Sequence, residues 1–372
     1  MRIAIDAHMI GERETGNETY TLNLIRELVS LDEKNEYLLY TTHAEELQSR
    51  LPCEKAHIVT LWPAISPVRI SLAMPVMARK QGASLLHVSY IAPPYSPCPT
   101  VVTVHDLSYV LFPQFFSLRD RLLLSTLVPI SLRRAAKVVA VSQRTKEDLL
   151  ECYHLPENQV AVTYEAASEA FQPVANDALL TEVKEKYGLH EPFILTIGNL
   201  QPRKNLIRLV KAYAGLRKEG FTQQLVVAGQ AYWRTSDIYR AVEEYGLEHQ
   251  VIFTGYVPDV DLPLLYNAAD LFTFVSLYEG FGLPVLEAMA CGTPVVSSWG
   301  GSLPEVVGDA GVLVDPLDVE GITQAMAEVL SQPQLAWQLR AKGLKQAASF
   351  SWRRMAEETL RVYEEVAGDD NT

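Results

Sequence analysis

In the stretch SLYEGFGLPVLEAMACGTPVVSS (276–298), Glu279 and Glu287 stand eight positions apart, with Gly280, Phe281, Gly282 and Pro284 between them. Proline suits the first turn of a helix, so LPVLEAMA reads as one that starts here. Gly280 and Gly282 leave the amides of Phe281, Gly282 and Leu283 open toward an anion, which a helix N-terminus favours. Glu287 lies three residues past Pro284, ~5 Å along the axis. A carboxylate there suits two hydroxyls, such as a ribose diol, better than a phosphate. Glu279 precedes the turn, on the other side of any bound phosphate, where a second polyol could lie. Two acids around an anion site describe a ligand of ribose, diphosphate and sugar. The plainer alternative is that Glu287 caps its helix and Glu279 faces water.

Other loops carry chemistry of the same kind. GNLQPRKN (198–205) sets Gly198, Arg203 and Lys204 before a helix; the guanidinium fork and the ammonium point charge suit a diphosphate, or are simply solvated. DAHMIGERETGNETY (6–20) holds Gly11 and Gly16 just before an amphipathic helix, either a phosphate- or acceptor-facing loop or a flexible turn. TVVTVHDLS ends on His105 and Asp106, a pair in which the acid ordinarily fixes the ring. Ser142 and Arg144 either line a cleft or, for Ser142, cap a helix with Glu147 nearby. Asp259 and Asp261 have D-x-D metal spacing but precede LPLLYNAAD, so one of them reads as a helix cap. Arg203 and Lys204 can neutralise phosphate, and no essential divalent ion is expected.

These loops all follow β-rich runs. RIAIDA (2–7), YLLYTT, HIVTLW, LLHVSY, TVVTVHD, KVVAVS and QVAVTY read as strands in the first half. FILTIGNL, QLVVAGQ, VIFTGY, LFTFVS and PVVSS do so in the second. Helical patterns alternate with them, the order of parallel sheets covered on both faces. A polar, proline-containing break at ASEAFQPVAND (167–177) divides the chain into two doubly wound α/β halves, expected to face a cleft. Ligands of such sheets bind beyond the strands' carboxyl ends, where every motif above falls. A dehydrogenase is disfavoured, because no G-x-G-x-x-G follows the first strand.

A length of 372 residues favours two domains, and four scattered cysteines (Cys53, Cys98, Cys152, Cys291) suggest neither zinc nor disulfides and fit a reducing cytosol. No apolar run reaches the ~18 residues of a membrane span, and the N-terminus lacks a signal-peptide core. A net charge of −13 argues against nucleic acid. Residues 119–146 nevertheless hold seven bases (Arg119, Arg121, Arg133, Arg134, Lys137, Arg144, Lys146) against Asp120 alone. This stretch reads either as a peripheral contact with anionic membrane or as an internal helix with Leu122–Leu124 and Leu127 in the core.

EGFGLPVLEAMACGTPVV closely resembles the E-x7-E signature of the retaining GT-B glycosyltransferases of family 4. GNLQPRKN, GYVPD (255–259), LYNAADLFTFVS and GSLPEVVGDAG fit the same family in order, so the resemblance spans most of the chain. It implies two Rossmann-like domains, 1–172 on the acceptor side and 173–351 binding the nucleotide sugar, with a C-terminal helix (352–372) crossing back. By the same resemblance Glu279 contacts donor-sugar hydroxyls and Glu287 the ribose. Gly280 and the amides at Phe281, Gly282 and Leu283 face sugar and diphosphate. Arg203 and Lys204 clamp phosphate, while Gly16, Asn17, Gly198 and Val257 lie on the donor side. His105 matches the family's active-site histidine. Asn199 departs from the pattern, since many members have Arg there, and Arg203 is left to supply that charge.

The resemblance further implies retaining transfer of a hexose to a glycan or lipid-linked acceptor, with no cofactor beyond the nucleoside-diphosphate sugar substrate. GNLQPRKN with TVHDLSYVLFPQFF looks like the bacterial mannosyl/rhamnosyl members that build surface polysaccharides, which points to GDP-mannose. A cytoplasmic enzyme, or one peripheral on the inner face of the cell membrane, is expected. A catalytically silent, nucleotide-binding subunit is the alternative.

Overall fold

A computed structural model of the protein describes residues 1–11, 15–51, 55–231 and 235–369. Cys53, part of the first loop (12–14) and the end of the C-terminal tail lie outside the described residues. The chain forms two compact units, Met1–Glu165 with Ser351–Thr372, and Ala166–Phe350.

The first unit is built on seven parallel strands: β1 (Arg2–Asp6), β2 (Glu36–Thr41), β3 (Ala56–Thr60), β4 (Leu85–Ser89), β5 (Thr100–Val104), β6 (Lys137–Ala140) and β7 (Val160–Val162). Their order is β3-β2-β1-β4-β5-β6-β7. The second unit has β8 (Phe193–Ile197), β9 (Gln224–Ala228), β10 (Val251–Gly255), β11 (Leu271–Phe274), β12 (Val295–Ser298) and β13 (Val312–Val314), in the order β10-β9-β8-β11-β12-β13. Each sheet starts in its middle and winds outward both ways, so each has a switch point, at β1/β4 and at β8/β11. The strands are apolar because helices cover both faces. In β5 all five residues are buried, and in β8 the first four are.

The three-residue β13 has no counterpart among the strands read from the sequence. It is too short to show a period, and pairing with β12 alone defines it. The first long helix begins at Thr15, so Gly16 and Asn17 occupy its opening turn instead of a preceding loop. The helix Leu118–Arg134 bears out the core-stripe alternative only in part, since Leu124 packs against the core. Val128, Ser131 and Leu132 are its buried residues, while Leu122 and Leu123 are exposed.

The helix Trp352–Asp369 belongs to the first unit and packs on the helix Thr15–Leu31. Its Tyr363 hydroxyl lies 2.6 Å from Nδ1 of His87, whose Nε2 is 2.6 Å from the Thr103 hydroxyl. Thr103 in turn meets the Tyr20 hydroxyl at 3.1 Å. Burial holds His87 down at about 3, so the ring is neutral and both nitrogens are occupied by hydroxyls.

Candidate active site

In the second unit, two loops that follow neighbouring strands are stitched together. After β8 the chain turns at Gly198 (φ +146°), whose carbonyl lies so close to Gly229 that no side chain fits there. A short turn, Pro202–Lys204, leads to Asn205, which holds φ +59° at the start of the helix Leu206–Lys218. Asparagine tolerates this left-handed backbone better than most residues. Its buried amide donates to the Val275 carbonyl at 3.0 Å and the Pro316 carbonyl at 2.6 Å. The Leu277 amide donates to the Arg203 carbonyl at 2.9 Å. The loop after β8 is thereby tied to the loop after β11.

The tie brings three charges together. Arg203 Nη1 is 2.8 Å from Glu279 Oε2 and donates to the Tyr278 carbonyl at 2.7 Å. Lys204 Nζ is 2.7 Å from Glu279 Oε1 and 4.7 Å from the centre of the Phe274 ring. Glu279 is buried, which corrects the water-facing alternative. Burial pushes its carboxyl up, but Arg203 and then Lys204 outweigh that and hold it at about 2. Two cations on one carboxylate leave a surplus positive charge.

The backbone of Glu279 is fixed as well, its carbonyl accepting from the Ser302 amide at 3.0 Å and hydroxyl at 3.1 Å. Gly282 (φ +110°) then opens the helix Leu283–Ala290. A Cβ at Gly282 would stand 2.7 Å from Leu303 Cδ2, so this turn requires glycine twice over. The first amides of the helix have no acceptor within it. Phe281 is buried edge-on to Phe350, with ring centres 5.7 Å apart. Glu287 does not cap this helix; its Oε2 accepts from the Tyr266 hydroxyl at 2.9 Å. Val257 is buried just after β10.

His105 follows β5 in the first unit and is buried, with Tyr20 edge-on to its ring at 4.8 Å. Tyr20 lies one turn along the helix that opens with Gly16 and Asn17, so that helix and His105 are held together. The acid beside the ring is not Asp106, whose Oδ1 accepts from the Ser108 amide at 2.8 Å and hydroxyl at 2.6 Å. It is Glu165, with Oε1 at 3.5 Å from His105 Nδ1, within ion-pair reach and long for a hydrogen bond. His105 Nε2 is buried with no hydrogen-bond partner among the described residues. Burial pushes the Glu165 carboxyl up, against the pull of His105. No local pattern marks this residue, which lies just after β7, the edge strand of the sheet.

Two further readings resolve locally. Ser142 caps the helix Gln143–Tyr153, accepting from the Thr145 amide at 3.0 Å, and Arg144 pairs with Asp148 at 2.7 Å. Asp261 stands at the N-cap position of the helix Leu262–Ala268 but makes no capping bond. Its Oδ2 instead accepts from Lys186 at 2.6 Å and from the Tyr187 hydroxyl at 2.7 Å. Asp259 is exposed, so the pair does not converge as metal ligands would.

The family called Glycosyl transferases group 1 matches residues 181–346, and Glycosyltransferase Family 4 matches residues 15–167. The O-antigen chain mannosyltransferase B of Escherichia coli is 37% identical over 266 residues, which cover 71% of this chain and 69% of that protein. The chain is a family 4 glycosyltransferase. Its fold is GT-B, with two Rossmann-like α/β units. Sucrose-phosphate synthase from Thermosynechococcus elongatus superimposes on the glycosyltransferase with a TM-score of 0.79 at 22% identity, covering 99% of this chain and 100% of that one. Anabaena HepE in complex with UDP-glucose gives a TM-score of 0.78 at 19% identity, covering 98% of this chain and 100% of that one. Among the glycosyltransferase's described residues, no helix is long and apolar enough to cross a membrane.

Proposed function

We propose that this glycosyltransferase moves mannose from GDP-mannose to a hydroxyl of a glycan or lipid-linked glycan, with retention at the anomeric carbon and without a metal ion. The observation that carries the donor site is the buried Arg203–Glu279–Lys204 cluster with its surplus positive charge. Breaking the sugar–phosphate bond builds negative charge on the departing diphosphate. Arg203, Lys204 and the first amides of the helix Leu283–Ala290 stabilise that charge, in a buried site where such contacts are strongest. Glu279 orients both cations and offers its own oxygens to sugar hydroxyls. Glu287, steadied by Tyr266, accepts from the ribose diol. Within the first unit, His105 is the candidate group for a sugar hydroxyl, with Gly16 and Asn17 at the neighbouring helix start. The acceptor proton leaves with the diphosphate on the same face. Mannose and the glycan acceptor are suggested by the O-antigen relative, and the diphosphate by the cluster itself.

Thermal unfolding with GDP, UDP, ADP and dTDP in EDTA tests the donor, for wild type and Glu287→Ala. Saturation at a hundred times Kd adds about 2.7 kcal/mol of stability. The expected result is stabilisation by GDP alone, lost in the variant, and mannose transfer from GDP-mannose in EDTA. Stabilisation by another nucleotide overturns the donor. Binding without transfer or donor hydrolysis favours a silent subunit.

A further inference from the structure

The loop after β4 opens on a conformation that its side chain does not favour. Among the described residues, three other than glycine hold a positive φ: Tyr90 (+58°), His154 (+53°) and Asn205 (+59°). His154 closes one helix and Asn205 opens another, and both residue types are enriched in the left-handed region. Tyr90 does neither, and for a bulky residue such a backbone is an outlier. Its amide extends the β4–β5 ladder, donating to the Thr103 carbonyl at 2.9 Å. The Ile91 amide then reaches back to the Ser89 carbonyl at 2.7 Å. A bond closed across one residue of positive φ is the rare, strained form of the γ-turn. Glycine would take this place with less strain.

Tyrosine brings two groups that glycine lacks. The peptide joining His105 to Asp106 lies past Val104, where β5 ends, and side chains hold it instead of a strand. Its carbonyl accepts from the Thr145 hydroxyl at 3.4 Å, and its amide donates to the Tyr90 hydroxyl at 3.0 Å. The Tyr90 ring lies beside the imidazole, with centres 5.8 Å apart and planes inclined at 48°. The turn is fixed in its own right. Tyr109 meets the Tyr90 ring at 77°, and the Ala92 amide donates to the Ser131 hydroxyl at 2.9 Å. Strained backbone persists only where its surroundings fix it on several sides, and it gathers at functional sites.

We propose that Tyr90 is a positioning residue for His105. Its hydroxyl fixes the peptide that follows His105, its ring sets the tilt of the imidazole, and the left-handed turn brings both to that place. The proposal rests on the reading of His105 as the group for a sugar hydroxyl, and Tyr90 acts through it. A tyrosine that serves the fold alone would leave both the imidazole and turnover unchanged when replaced without unfolding.

Tyr90→Phe keeps the ring and removes the acceptor of the Asp106 amide. In protein isotope-labelled at histidine Cε1, the His105 magnetic-resonance signal is identified by its absence from His105→Asn. Tyr90→Phe should shift or broaden that signal, while those of His190 and His249 in the second unit stay in place. It should also slow GDP release from GDP-mannose by about tenfold, with KM unchanged. Tyr90→Asn, which suits the backbone but carries no ring, should be slower still. Unfolding midpoints like the wild type's would show that the phenylalanine variant folds. A His105 signal unmoved in Tyr90→Phe overturns the proposal, and so does wild-type turnover by either variant. A wild type that releases no GDP, or a His105→Asn variant as fast as wild type, would instead sink the donor or the His105 reading, leaving the His105 signal to decide this one.

Discussion

Glu279 and Glu165 are both buried carboxylates, yet their surroundings act on them in opposite directions. Glu279 is held at about 2 by Arg203 and Lys204 against burial. Its folded value lies below the unfolded one of 4.5, so the pairing stabilises above pH ~4.5 and is lost as pH falls toward about 2. The linkage is on the order of 3 kcal/mol. Glu279→Gln should therefore destabilise at neutral pH, with the difference from wild type shrinking below pH ~4.5 in denaturant titrations. Glu165 is raised by burial, so its ionised form costs stability above its folded value, and protonation relieves that cost as pH falls. Glu165→Gln should leave neutral-pH stability unchanged or improved, while reducing kcat about tenfold through His105. A variant as active as wild type would show that the ring needs no charged partner. Lys204→Ala should cost about a hundredfold in kcat, because a diphosphate contact matters most as the bond breaks.

At the scale of elements, the site depends on a loop tied between strands. Asn205→Gly keeps a backbone that tolerates φ +59° and removes the bonds to Val275 and Pro316. The fold should survive while the KM for donor rises roughly tenfold, since the cations lose their fixed place. An unchanged KM would mean that the Leu277 bond suffices. Gly282→Ala should cost about 1–3 kcal/mol, through its backbone and the contact with Leu303. This difference between residues explains what was legible in the sequence. Strands, glycine turns and the Glu279–Glu287 spacing are local patterns, and twelve of the thirteen strands among the described residues carry a readable apolar run. Glu165 beside His105, Tyr266 behind Glu287 and the Asn205 tether join residues remote in the chain, and no local period marks them. The apolar periodicity of Leu118–Arg134 was visible too, but periodicity alone does not say which face is covered.

For the whole molecule, acidification should act on the units in turn. In the first unit burial holds His87 down at about 3 instead of 6.5, so its share of that unit's stability is lost below pH ~6.5, because only the unfolded chain takes up the proton, and protonation of Glu165 offsets only part of this loss. Glu279 adds its loss in the second unit only below ~4.5. Hydrogen exchange at pH 5 should show earlier opening in Met1–Glu165 than in Ala166–Phe350. Equal protection in both units would refute this order.

The placement of Ser351–Thr372 with the first unit also bears on biosynthesis. A ribosome delivers the seven strands of that unit first, but Tyr363, the partner of His87, emerges about two hundred residues after β7. The unit encoded in the middle is complete before the one that starts the chain. Nascent chains arrested beyond Phe350, far enough to clear the exit tunnel, should hold a protease-resistant second unit beside a still cleavable first. The order of synthesis is thus the reverse of the order of completion, and a helix made after the second unit is the one that closes the earliest sheet.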